Sequence, residues 1–142
     1  IEAGNLMPNG KVYALEKNSQ YLAFIRENLK KFASKNVMLV EAMAPEGLDD
    51  LPNPDRVFIG GSGGMLEDII DAVDRRLKPD GMIVLNAVTL DTLTKAVEFL
   101  EDHGYTVEVT CVNVSKTIGL TEYKMFEAHN PVYIISARQG ED

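Results

Sequence analysis

At 142 residues, with 45% hydrophobic and 25% charged side chains, the chain has the composition of a single globular domain able to bury a core. Its formal charge of −8 argues against nucleic acid as a partner, because phosphate contact needs clustered cations, and the adjacent basic pairs Lys30-Lys31 and Arg75-Arg76 read as solvated helix faces. The single cysteine, Cys111, excludes an internal disulfide framework and reads as a small strand residue. No apolar run is long enough to cross a bilayer and no signal peptide opens the chain, so a cytoplasmic, membrane-free setting is expected.

In chain order, the run Val12-Tyr13-Ala14-Leu15 after the turn Pro8-Asn9-Gly10 predicts a buried parallel strand that ends at Glu16. Asn18 or Ser19 caps the helix that follows, and Leu22, Ile25, Leu29 and Phe32 mark its buried stripe. Val37 to Val40 is the next strand. The prolines and acidic residues from Pro45 to Pro54 predict loop with one helical turn at most, and Arg56 to Ile59 is again strand.

Directly after that strand stand Gly60-Gly61-Ser62-Gly63-Gly64, and directly after them a helical pattern through Leu66, Ile69, Ile70, Val73 and Leu77 that ends before Pro79. Small residues let a backbone pass close to a ligand, and the carboxyl end of a strand in an open α/β sheet is where such folds bind small molecules. Glycines also serve plain strand-to-helix turns, so the pentad by itself leaves both readings open.

Asp80-Gly81 turns the chain into the strand Met82 to Leu85. Thr89 caps a helix carrying Leu90, Leu93, Val97 and Leu100, which stops at Gly104 in a left-handed cap. Tyr105 to Val114 is β-branched strand, Ser115 to His129 reads as irregular, and Pro131 to Ile135 is a last strand that pairs antiparallel with Tyr105 to Val114 at the sheet edge. Strand and helix thus alternate until the end, which predicts an α/β fold with a mostly parallel sheet covered by helices on both faces. There is no Ser/His/Asp order and no metal-ligand spacing; His103 and His129 read as structural.

These residues resemble the class I S-adenosylmethionine-dependent methyltransferases, a Rossmann-like family. The marks are Val12-Tyr13-Ala14-Leu15-Glu16, Leu77-Lys78-Pro79-Asp80-Gly81 and the closing strand pair. Within that superfamily the chain is similar to the decarboxylating precorrin methyltransferases of cobalamin biosynthesis. The narrower match lies in the stretch from Pro54 to Gly64, in Leu85-Asn86-Ala87-Val88-Thr89-Leu90, in Val112-Asn113-Val114 and in Asn130-Pro131-Val132-Tyr133-Ile134.

The resemblance implies S-adenosylmethionine as cofactor and a precorrin tetrapyrrole as substrate, with methylation of one carbon accompanied by loss of carbon dioxide from an acetate side chain. It assigns the cofactor to Glu16, whose carboxylate suits ribose hydroxyls, to the neighbouring Lys17, to Met43 and Ala44 beside the adenine, and to Gly60 and Gly61. The substrate is assigned to Ser62, Gly63, Gly64 and Asn86, with Lys116 and Lys124 as cations for its carboxylates. No catalytic side chain is singled out, which suits a transfer in which the cofactor carries the reactive group.

Family members begin with a strand and a glycine-rich cofactor loop, and Ile1-Glu2-Ala3 resembles the helix after that loop; the loop is expected to be missing from residues 1–142, otherwise one methyltransferase domain. Where the family shows Gly-Asp-Ala, this chain has Ala42-Met43-Ala44, which leaves backbone groups near Ala44 for the adenine. The resemblance also implies a homo-oligomer, a tetramer, with the last strands and their connection in the contacts. A nicotinamide-dependent oxidoreductase fragment would explain the sheet and Glu16 equally well, and a non-catalytic interaction module is the third reading.

Overall fold

The structure, a computed structural model, describes residues 1–120 and 122–140. Two compact units divide the chain, Ile1–Pro52 and Asn53–Asp142.

The first unit runs α1 (Glu2–Leu6), β1 (Val12–Glu16), α2 (Ser19–Lys31) and β2 (Val37–Glu41). Both strands pair in parallel with Val12 opposite Val37 and Glu16 opposite Glu41, so α2 is the crossover between them. Asn18 starts α2: its side-chain oxygen accepts from the amides of Gln20 at 2.9 Å and Tyr21 at 3.3 Å. Leu22 is the buried anchor of the helix, with Ile25 and Leu29 half-buried, but Phe32 is exposed. Phe32 lies one residue past the helix end, beyond the reach of the stripe, and its ring carries the Lys31 ammonium 5.6 Å away. Asn36 Nδ2 donates to the carbonyls of Gly4 and Met7 at 2.9 Å and of Gly10 at 3.3 Å, which ties α1 to the start of β1.

The second unit holds β3 (Arg56–Ile59), α3 (Leu66–Asp74), β4 (Met82–Ala87), α4 (Leu90–Asp102), β5 (Tyr105–Val112), β6 (Ser115–Leu120), β7 (Tyr123–Ala128) and β8 (Val132–Gln139). Its main sheet has the order β3-β4-β8-β5, with β3 parallel to β4 and β8 antiparallel to both neighbours. The final strand pair expected from the sequence is present, and β8 slots between β4 and β5 rather than outside them. In β4 the two-residue period is plain: Ile83, Leu85 and Ala87 are buried while Met82, Val84 and Asn86 are half-buried. The buried set faces a core with Ile135 and Ala137 from β8, Ile69, Ile70 and Val73 from α3, and Ala96 and Leu100 from α4. Leu90, read as part of the buried stripe, is 76% exposed because it opens the first turn of α4; Ala96, two turns on, is fully buried. Gly104 ends that helix at φ +79°, as its position predicted. Cys111 is an exposed strand-face residue.

Ser115 to His129 is not irregular. Strands β6 and β7 form an antiparallel hairpin with Ser115 opposite Ala128 and Lys116 opposite Glu127, and Thr121 lies outside the described residues. Every described residue of β7 is exposed, so the hairpin shows no alternation of apolar and polar side chains and gave no strand signal.

Two hydrogen bonds tie α3 to the segment where α4 ends and β5 begins. Tyr105 donates its phenol proton to Asp74 Oδ1 at 2.7 Å, and burial together with this bond pushes the phenol pKa upward. His103 places Nδ1 2.7 Å from the Phe99 carbonyl and Nε2 3.1 Å from Asp71 Oδ1. Both partners are acceptors, so the ring satisfies both only as imidazolium. The Phe99 carbonyl above all holds its pKa above the ordinary value; burial opposes it, and Asp71 and then Asp74 add to the rise. A raised folded-state pKa gives stability that is present in full below about pH 6.5 and lost as pH rises through the folded value. Melting curves between pH 6 and pH 9 should fall more steeply for the native chain than for His103→Gln; parallel curves would remove His103 from the balance.

Candidate functional site

In the first unit, four of the predicted residues meet at the carboxyl edge of the β1-β2 pair. Glu16 closes β1, and its Oε1 accepts from the amides of Lys17 and Asn18, both at 2.8 Å, which shapes the turn into α2. No described protein group donates to Oε2, so one carboxylate oxygen is committed to the turn and the other is open to a ligand. The Glu16 carbonyl accepts from Ala42, and Lys17 reaches the Met43 sulfur at 3.5 Å, which brings the segment through Met43 and Ala44 alongside.

In the second unit, β3 and β4 run parallel and both end at one edge, where β3 delivers the glycine segment and β4 delivers Asn86. Ile59, Gly60, Gly61, Ser62, Asn86, Val88 and Thr92 surround a cleft of about 160 Å³ there, floored by Leu66 and Leu85. Gly61 has no neighbour within 4 Å of the place a Cβ would take, so its backbone opens onto the cleft. Gly63 and Gly64 stand at φ +59° and +92°, a conformation that side chains resist, and they turn the chain into α3.

Sequence reading missed Val88 and Thr92. They reach the cleft because α4 begins at the same edge, and the Thr89-to-Thr92 spacing was the available signal. The Thr92 amide donates to Thr89 Oγ1 at 3.2 Å, and Thr89 Oγ1 in turn donates to Thr92 Oγ1 at 2.8 Å. One hydroxyl proton of this pair is used in the contact, which leaves the other for a further acceptor.

Lys116 and Lys124 are both exposed on the hairpin. Its strands begin and end beside Val112 and Val132, which sit at the edge of the sheet where β4 finishes. Lys116 is opposite Glu127 and Lys124 opposite Gly119, an odd offset that sets the two lysines on opposite faces of the ribbon.

An α/β arrangement with a mixed main sheet, parallel at β3-β4 and antiparallel where the last strand is inserted, is the methyltransferase fold of its structural neighbours, as expected. The model of the precorrin methyltransferase domain matches residues 1–139, and the chain belongs to that family. A probable cobalt-precorrin-6B C(15)-methyltransferase (decarboxylating) from Sulfolobus acidocaldarius is 37% identical over 137 residues, 95% of this chain and 71% of that protein. The crystal structure of precorrin-6y C5,15-methyltransferase from Geobacter metallireducens is 80% identical, with a TM-score of 0.91 over 97% of this chain and 72% of that one. Precorrin 8w decarboxylase from Methanobacterium thermoautotrophicum is 35% identical, with a TM-score of 0.82 over 92% of this chain and 70% of that one. Membership in this family decides against the nicotinamide reading and against a non-catalytic module: the chain is a methyltransferase.

Proposed function

We propose that this chain catalyses S-adenosylmethionine-dependent C-methylation of a precorrin tetrapyrrole together with decarboxylation of an acetate side chain, in cobalamin biosynthesis in the cytoplasm. The observation that carries the reading is the family match over residues 1–139 with relatives named for that reaction. The local geometry of the first unit fits the cofactor: Glu16 offers a free carboxylate oxygen to ribose hydroxyls. When bound, S-adenosylmethionine supplies an electrophilic methyl group on a sulfonium.

The protein's part is then binding and orientation. In the first unit Glu16 holds the ribose, with Lys17 and the Met43-Ala44 backbone beside the nucleoside; in the second, Gly60 and Gly61 line a ligand cleft. Ser62, Gly63, Gly64 and Asn86 orient the tetrapyrrole so that its nucleophilic carbon stands in line with the methyl, the arrangement that converts binding into rate. Incubation with S-adenosylmethionine and cobalt-precorrin-6B should yield a product heavier by one methyl and lighter by carbon dioxide. S-adenosylmethionine, but not a nicotinamide dinucleotide, should raise the melting temperature. Unchanged substrate with either cofactor overturns the proposal.

The assembly belongs to the same proposal: a homotetramer with the hairpin in its contacts. On that ribbon Phe126 on one face and Tyr123 and Met125 on the other are 78%, 73% and 54% exposed, apolar side chains that another copy can cover. Phe126→Glu should lower the mass seen by light scattering. Lys116→Glu and Lys124→Glu should leave the mass alone and weaken tetrapyrrole binding in a salt-dependent way. An unchanged mass removes the hairpin from the interface, and unchanged affinity removes the lysines from the site.

A further inference from the structure

The cleft at the ends of β3 and β4 carries no ionisable side chain: its polar groups are the backbone of Gly60 and Gly61, the hydroxyls of Ser62 and Thr92, and the amide of Asn86. The neighbouring cleft at the start of α3 is the opposite case, with Glu67, Asp68 and Lys95 in its lining. In the uncharged cleft, the Thr92 hydroxyl can turn its proton to a ligand while accepting from Thr89, and the Asn86 side chain makes no hydrogen bond with the described residues. About 160 Å³ exceeds the ~10–15 Å³ that one water needs, so a carboxymethyl group can enter.

Resting on the proposed reaction, the geometry points to this cleft as the place of the one carboxylate that is lost. Thr92 acts there as a positioning donor and the absence of a cation is part of the chemistry. A carboxylate about to become carbon dioxide gives up its charge in the transition state. A lysine or arginine beside it would bind the starting state strongly and the transition state weakly, which lowers the rate of the step. Neutral donors fix the direction of the group without that large preference for the charged form, and apolar walls from Leu66, Leu85 and Val88 disfavour the charge further. The bond between the carboxylate carbon and the side-chain methylene breaks and carbon dioxide departs. The electron pair remains with the methylene and the conjugated macrocycle until water supplies the proton that completes a methyl group. Carboxylates that the product keeps belong with cations elsewhere.

The test places a cation at the rim. Val88 is 61% exposed, so Val88→Lys and its uncharged counterpart Val88→Gln should fold as the native chain does, which melting curves verify. With the full-length enzyme, methyl-labelled S-adenosylmethionine and cobalt-precorrin-6B, methyl incorporation and carbon dioxide release are measured separately, and substrate affinity by titration. Val88→Lys should bind substrate more tightly and release about tenfold less carbon dioxide per methyl transferred, while Val88→Gln, which removes the apolar wall without adding a charge, should lose several-fold less and bind no more tightly. Thr92→Val should reduce the same ratio without tightening binding. Carbon dioxide release unchanged in Val88→Lys, or reduced only in step with methyl transfer, overturns the assignment. A native enzyme that performs neither step defeats the proposed reaction itself, a result distinct from either of these.

Discussion

Gly61→Val should cost on the order of 100-fold or more in kcat/KM for methyl transfer while the protein melts within a few degrees of the native chain. The two halves of that expectation come from different facts. Gly61 has an ordinary backbone conformation and open space around its missing Cβ, so valine strains nothing in the fold. The same open space is the cleft, where a branched side chain stands in the way of a ligand. Gly63→Val is the instructive contrast. At φ +59° a β-branched residue costs about 1–2 kcal/mol of backbone strain, so this variant should lose several degrees of melting temperature along with its activity. Activity assays, ligand titration and thermal melts on both proteins separate the effects. A Gly61→Val protein with native turnover would show that the pentad is only a turn between β3 and α3.

What could be read from the sequence follows from how local each signal is. The caps Asn18 and Thr89 were legible because a capping side chain answers amides two or three residues away. The strands from Val12, Val37, Arg56 and Met82 were legible as short apolar runs, although β1 and β2 are half-buried rather than buried and β3 buries only Ile59. The hairpin from Ser115 to Ala128 was not, since its stability comes from backbone pairing between exposed residues and leaves no periodic trace in side-chain type. The site divides along the same line. Glu16 and the glycines sit at strand ends that any α/β reading inspects, whereas Val88 and Thr92 enter the cleft only because α4 starts beside β3 in space. The turn-forming duty of Glu16 Oε1 was likewise invisible, because which oxygen a carboxylate commits depends on the path of the backbone through Lys17 and Asn18.

That divided carboxylate sets the second large effect. Glu16→Gln keeps a carbonyl oxygen for the amides of Lys17 and Asn18 and removes the charge, whereas Glu16→Ala removes both functions. A hydrogen bond to a charged acceptor contributes about 1.5–3 kcal/mol, so Glu16→Gln should weaken S-adenosylmethionine binding by roughly 10- to 100-fold, with a melting temperature near that of the native chain. Glu16→Ala should lose at least as much affinity and also melt earlier, since two amides at the start of α2 lose their acceptor. Calorimetric titration with S-adenosylmethionine and melts without cofactor measure the two effects independently. If Glu16→Gln binds like the native chain while Glu16→Ala is merely less stable, the carboxylate serves the turn alone and the ribose is held by other groups.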